Sequence, residues 1–254
     1  MRVIAIINQK GGVGKTTTAV NISAGLAAEG YNVLLIDCDP QGNASQSVRR
    51  EPTDDEPTLY EVLKGNANID DAIKTVKEGL DLLPTDIRLS AAELELASVP
   101  ARELLLKEAL AELKTAYDFV IIDCAPSLSL VTLEALVACN NIIIPVQAAY
   151  LPLKGIKQLL DTVALVKKRL NTGLDLLGVV VTMYNSSRNL DGAMLENVRS
   201  AFPGKLLAMI PNNIALAEAQ ALGQDIYTYA PLSRGALVYM ELTKEIIKRS
   251  FNNG

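Results

Sequence analysis

Two lysines, three glycines and two threonines stand within ten residues, Asn8-Gln9-Lys10-Gly11-Gly12-Val13-Gly14-Lys15-Thr16-Thr17. The run follows an apolar β-branched stretch, Val3–Ile7, and opens a helical segment, Thr16–Glu29. Strand, glycine loop and helix in that order are what a phosphate-binding loop requires. Gly11, Gly12 and Gly14 let the backbone approach an anion and turn its N–H groups inward. The helix N-terminus adds a favourable dipole. Lys15 can reach β- and γ-phosphates, and the Thr16 hydroxyl can ligate Mg²⁺. A dinucleotide fold fits poorly, because Thr17 stands where that pattern needs a third glycine. An ordinary P-loop has glycine at its first position; here Gln9 stands there, followed by a second lysine, Lys10.

Two acidic strand ends accompany the loop. Asp37-Cys38-Asp39-Pro40-Gln41-Gly42-Asn43 closes one apolar run, and Asp123-Cys124-Ala125-Pro126-Ser127 closes another. A carboxylate at the end of a buried strand is costly unless it is paired or near a metal. Capping the next helix is the simpler role for either aspartate taken alone. Beside a phosphate loop, Asp123 fits the holding of Mg²⁺ through water. Asp39, close to the same metal, fits the positioning of an attacking water. The chain has no histidine, which excludes Ser-His-Asp and Cys-His catalysis and histidine ligation of a metal. Cys38, Cys124 and Cys139 are too few for a disulfide framework and read as small buried hydrophobes.

These groups need a scaffold, and the pattern of the chain describes one. Hydrophobic residues make up 49% of the 254 and charged residues 21%, enough for a large core in one domain spanning 1–254. Apolar runs predict strands at Val3–Ile7, Asn32–Asp37, Leu80–Leu83, Phe119–Asp123, Ile142–Pro145, Leu176–Met183 and Leu206–Ile210. Helices are expected at Thr16–Glu29, Thr58–Lys64, Ile69–Val76, Ala91–Ala97, Arg102–Thr115, Asp191–Ala201 and Ala236–Arg249. Ile156, Leu159, Leu160, Val163, Val166 and Leu170 recur at helical spacing. The polar stretch Gln41–Pro57 reads as loop. Strands alternating with helices predict an α/β fold, a mostly parallel twisted sheet flanked by helices on both faces. Ligands of such sheets sit at the carboxyl ends of the strands, where the motifs fall. A net charge of −5 is the wrong sign for a dedicated nucleic-acid module, though it leaves room for a local basic patch. No apolar run approaches the roughly 18 residues of a membrane span, and no secretory signal pattern opens the chain, so a cytoplasmic location is expected.

The KGGVGKTT form is the deviant Walker A loop, and with it the sequence resembles the ParA/Soj partition ATPases of the ParA/MinD group. Further matching segments are DCDPQGNAS at 37–45, DCAPSLS at 123–129, IPVQAAYLPLKGI at 144–156, LLGVVVTMYN at 176–185 and PLSRGALVY at 231–239. The resemblance implies a P-loop NTPase fold, ATP and Mg²⁺ as cofactors, and a homodimer formed on ATP binding. In that dimer Lys10 would cross to the partner's phosphates. It further implies non-specific binding to nucleoid DNA, and a ParB-like partner that stimulates hydrolysis. Adenine would lie against Thr182–Tyr184 and Pro211–Asn213, with Met183, Pro211 and Asn213 as contacts.

One departure bears on DNA. Many relatives carry arginines after the strand that ends at Ile210; this chain reads Pro211-Asn212-Asn213-Ile214-Ala215. The remaining basic candidates are Arg188, Arg234, Lys244, Lys248 and Arg249, and the helical face Lys154, Lys157, Lys168 with Asp161. Three other readings compete. A MinD-like membrane-cycling ATPase needs a C-terminal amphipathic helix, and Lys244–Phe251 reads instead as the end of a core helix, so no stable membrane association is expected. An iron–sulfur reductase component needs a cysteine pair at a spacing that is missing here. A ParA-like positioner of a cargo other than DNA is compatible with every motif.

Overall fold

In a computed structural model the sheet follows from the runs described above. The structure describes residues 1–148 and 153–252; the side chains of 153, 154, 189, 190 and 252 lie outside that description. β1 (Arg2–Ile6) leads through the glycine loop into α1 (Lys15–Ala28), and β2 (Val33–Cys38) follows. Next come α2 (Asn43–Ser47), α3 (Leu59–Leu63), α4 (Ile69–Ala72) and the hairpin of β3 (Lys74–Lys77) and β4 (Leu80–Leu83). After α5 (Ala92–Glu95) and α6 (Leu105–Ala111), β5 (Phe119–Cys124) returns to the centre, followed by α7 (Leu130–Ala138) and β6 (Asn141–Gln147). The remainder is α8 (Leu153–Arg169), β7 (Asp175–Tyr184), α9 (Asn189–Ala201), β8 (Leu206–Pro211), α10 (Ile214–Ala221), α11 (Ile226–Tyr229) and α12 (Arg234–Asn252).

Among the described residues eight strands form a sheet in the order β3-β4-β2-β5-β1-β6-β7-β8. Every pairing is parallel except β3 with β4. Alternation along β1 divides the core. Val3, Ala5 and Ile7 join the cluster that α7, α8 and α9 cover, with Leu136, Val163 and Val198. Ile4 and Ile6 join the opposite cluster, with Ile22 and Leu26 of α1 and Tyr239 and Ile246 of α12. The segment after β4 runs through two 3₁₀ turns, Ile87–Ala91 and Arg102–Leu104, so the helix expected over Arg102–Thr115 is confined to α6. Among the described residues no helix is long and apolar enough to cross a membrane.

Three readings of the sequence need correction. The stretch Gln41–Pro57 is not all loop, because α2 buries Ala44, Ser45 and Ser47. The helix expected over Ile69–Val76 stops at Ala72; Lys74–Lys77 is an edge strand, turned back onto β4 at Gly79 (φ 74°). α10 and α11 occupy a segment read without helices. They begin at side-chain caps: Asn213 accepts from the Ala215 N–H, and Asp225 accepts from the Tyr227 and Thr228 N–H groups.

Glu134 is the anomaly of α7. It is fully buried beneath the sheet, and among the described residues neither carboxyl oxygen has a hydrogen-bond partner. Burial pushes its pKa up to about 8 from 4.5, so the side chain is a neutral acid at pH 7. Between pH 4.5 and 8 the unfolded chain releases this proton and the folded chain keeps it. Wild-type stability should therefore fall across that window relative to Glu134→Gln, by about 1.4 kcal/mol per pH unit at most. Urea denaturation of both proteins at pH 5 and pH 8 measures this; parallel profiles would mean that the native carboxyl is ionised.

Candidate active site

Sheet order brings the carboxyl ends of β2, β5 and β1 together, and register levels them. Asp37 pairs with Asp123, Cys38 with Cys124, and Asp123 in turn with Ile6 at the foot of the glycine loop. Both acidic runs thus end beside the loop, as the sequence predicts.

Within the loop, Gly12 (φ 71°) and Gly14 (φ 82°) adopt left-handed backbone that a side chain would strain. Gly14 starts α1, and among the described residues no side chain caps that start. Its first N–H groups are left for an external acceptor. Val13 is buried, and its carbonyl accepts a 2.9 Å hydrogen bond from the Thr182 hydroxyl, which ties the loop to β7. Thr17 donates to Gln220 Oε1 at 3.2 Å, which ties α1 to α10. Lys15 lies folded under the loop, its Nζ donating to the Lys10 carbonyl at 3.3 Å. Burial lowers its pKa, and the nearby Asp123 and Asp39 pull it back up.

Asp123 is fully buried, and among the described residues both carboxylate oxygens lack a hydrogen-bond partner. Burial drives its pKa well above the usual range, Asp37 adds to the rise, and Thr16 and Lys15 oppose it. A carboxylate so placed, next to a threonine at a helix start, is short of a cation. The donor set of one carboxylate and one hydroxyl, with room for water and phosphate oxygens, fits Mg²⁺, which keeps several such ligands. Asp39 is also buried, and its Oδ1 accepts from the Gln41 N–H at 3.0 Å.

Asp37 is the residue that the sequence reading left without a role. It is fully buried and accepts from the Asp39 N–H at 3.2 Å and from the N–H and hydroxyl of Ser45, both at 2.8 Å. Burial lifts its pKa to about 6 against these bonds. It is the strut that folds the chain from β2 back into α2 and so aims Asp39. A serine eight residues after a strand-end aspartate, at the start of a short helix, was the available signal.

The proposed base contacts are partly assembled. Pro211 and Asn213 line a cleft of about 480 Å³ with Tyr184, Asn185, Met209 and Arg234. Met183, in left-handed backbone (φ 55°), precedes this wall without lining it. A larger cavity, about 710 Å³, lies between α7 and α8, among Leu128, Leu133 and Leu165, away from the glycine loop.

The basic candidates do not form one patch. Arg188 and Arg234 are exposed at the strand-end side. Lys244 lies ~15 Å and Lys248 ~21 Å further along α12 from Arg234, at 1.5 Å per residue, and Lys244 pairs with Glu29 at 3.7 Å. Arg249 is committed elsewhere: it pairs with Glu245 and donates to the carbonyls of Leu177, Gly204 and Leu206. Lys157 and Lys168 are exposed on α8, and the side chain of Lys154 lies outside the described residues. All three cysteines are buried thiols, as expected.

Ser45→Ala should cost about 1.5–3 kcal/mol at pH 7.5, the range for a hydrogen bond to a charged group. The loss should shrink at pH 5, below the Asp37 value of about 6. Urea denaturation at the two pH values checks this; a loss independent of pH would remove the charged carboxylate from the account.

Comparison with known proteins places this geometry. Residues 1–176 match the family model described as an AAA domain. The chain is 48% identical over 247 residues to the sporulation initiation inhibitor protein Soj of Bacillus subtilis (strain 168), covering 96% of this chain and 98% of Soj. It is 42% identical over 253 residues to the chromosome partitioning protein ParA of Caulobacter vibrioides (strain NA1000 / CB15N), covering 98% and 95%. Among solved structures, cobyrinic acid a,c-diamide synthase from Mycobacterium smegmatis, with bound ATP analog and magnesium, superposes with a TM-score of 0.88 at 36% identity. That likeness covers 100% of this chain and 97% of the other. With this identity sustained over nearly the full length of both partition proteins, the chain belongs to the ParA/Soj family of partition ATPases.

Proposed function

We propose that this chain, working as one domain, is a Mg²⁺-dependent ATPase that dimerises on ATP, binds DNA without sequence preference and moves chromosome or plasmid cargo. The observation that carries the reading is the unpartnered buried carboxylate of Asp123 beside Lys15 and the uncapped start of α1. An anion and a cation together would satisfy all three. The amides of residues 11–17 and the Lys15 ammonium hold the β- and γ-phosphates, with adenine towards Met183, Pro211 and Asn213. Thr16 and Asp123 hold Mg²⁺, with Asp39 beside it; the metal neutralises charge on the phosphate oxygens. Asp39 orients the attacking water and accepts its proton, in a chain without histidine. Lys10 extends to the phosphates of a second copy. In the ATP-bound state the protein sits on the nucleoid in the cytoplasm, and a ParB-like partner accelerates hydrolysis and so ends DNA binding.

Stable membrane association forms no part of the proposal. Leu242 and Ile246 of α12 are fully buried, and the exposed Phe251 stacks on Tyr31, so this helix spends its apolar side on the protein.

Three variants separate the roles. Lys15→Ala should lose nucleotide binding by at least about tenfold, as the loss of a charged hydrogen bond implies. Asp123→Ala should weaken binding only when Mg²⁺ is present. Asp39→Ala should bind ATP normally, lose hydrolysis by about 10²-fold or more, and accumulate dimer. Titration calorimetry with and without Mg²⁺, with light scattering after long incubation in ATP, reads all three. Normal turnover by Asp39→Ala would refute its role.

DNA binding rests on fewer groups. Arg188→Ala/Arg234→Ala should lower the slope of log affinity against log salt by about 2, since each phosphate contact contributes about 0.9. An unchanged slope would move the contact further along α12, to Lys244 and Lys248. No measurable affinity in the wild-type ATP-bound dimer would favour a cargo other than DNA.

A further inference from the structure

Lys10 is held within its own subunit. Its Nζ donates to Gln147 Oε1 at 3.0 Å, and Gln147 is the last residue of β6. Two contacts of Asn8 keep the loop at that distance: Asn8 Oδ1 accepts from the Lys10 N–H at 3.0 Å, and Asn8 Nδ2 donates to the Pro145 carbonyl at 2.7 Å. The amide of Gln147 is itself oriented. Its Nε2 donates to the Met183 thioether at 3.4 Å, which leaves Oε1 turned to Lys10. Met183 is fixed in left-handed backbone at the end of β7. One glutamine therefore spans from the second lysine of the loop to the strand end where the base is proposed to lie.

An ammonium hydrogen-bonded inside its own subunit is unavailable to a second one. We infer that Gln147 is a positioning residue that restrains Lys10 in the monomer, and that breaking this contact is a step of dimer formation. The inference rests on the proposed role of Lys10 at a second copy's phosphates. A restraint of this kind lowers the apparent dimer affinity by the fraction of chains in which Lys10 is released. It leaves nucleotide capture by the monomer alone, because Gln147 stands outside the phosphate loop.

The test compares wild type, Gln147→Ala, Gln147→Glu and Lys10→Ala. Dimerisation is followed by sedimentation in Mg²⁺ and a slowly hydrolysed ATP analog, and ADP affinity is measured at concentrations too low for pairing. Gln147→Ala should tighten the dimer by about 5-fold or more, as expected for loss of a partly exposed charged hydrogen bond. Gln147→Glu replaces that bond with an ion pair and should weaken the dimer, and both should hold ADP within about twofold of wild type. A general structural defect would move both variants in the same direction. Gln147→Ala pairing like wild type or more weakly overturns the inference. If Lys10→Ala pairs normally, the role of Lys10 itself fails. If Lys10→Ala does not pair and both Gln147 variants match wild type, the role of Lys10 stands and that of Gln147 falls.

Discussion

Asp37, Asp123 and Lys15 are ionisable, largely withdrawn from water, and gathered at the ends of three adjacent strands. Burial works against all three charges, raising both carboxylates and lowering the lysine. Asp37 is compensated by Ser45 and the Asp39 N–H, whereas at Asp123 Thr16 and Lys15 oppose the rise without cancelling it. A protein selected for stability alone would replace such a group with an apolar one of similar size. Its retention at a parallel-sheet switch point marks a place where local rules are broken for a ligand.

The surrounding fold keeps this cluster in place. β1, β2 and β5 are buried on both faces, so their ends cannot shift without moving two cores at once. On one side α1 is clamped by α12 through the Thr18–Tyr239 contact and joined to α10 through Thr17 and Gln220. On the same side, next to α1, the Asp37–Ser45 strut locks α2 beneath the Asp39 turn. The nucleotide end is thus braced at its floor, and the paired side chains of Lys10 and Gln147 stand at its rim.

The central strands and the glycine loop were legible because a strand buried on both faces is a continuous apolar run, and because few residue orders suit a phosphate loop. Among the short elements, β4 and α3 were legible too, but α11 and β3 were not. α11 has four residues and β3 four, too few for a period to show, and both depend on tertiary partners. Asp225 illustrates this, capping α11 while also pairing with Lys77 of β3. Asp37 and Asp39 are the same residue type two positions apart, and only the fold of α2 gives them different work. Glu134 is the one charged residue of LVTLEALVA, and which face of α7 meets the sheet is decided by packing.

The antiparallel β3 has a consequence for how copies of this protein meet. It is an edge strand of four residues, and its Lys74 and Lys77 are paired with Glu56 and Asp225. Short length, lysines and a shift in register are the devices that stop one sheet from extending into another. At the other margin β8 ends in Pro211, which has no N–H to offer a new strand. When such molecules are crowded together, both margins of the sheet are shielded from the irreversible edge-to-edge growth that leads to fibres.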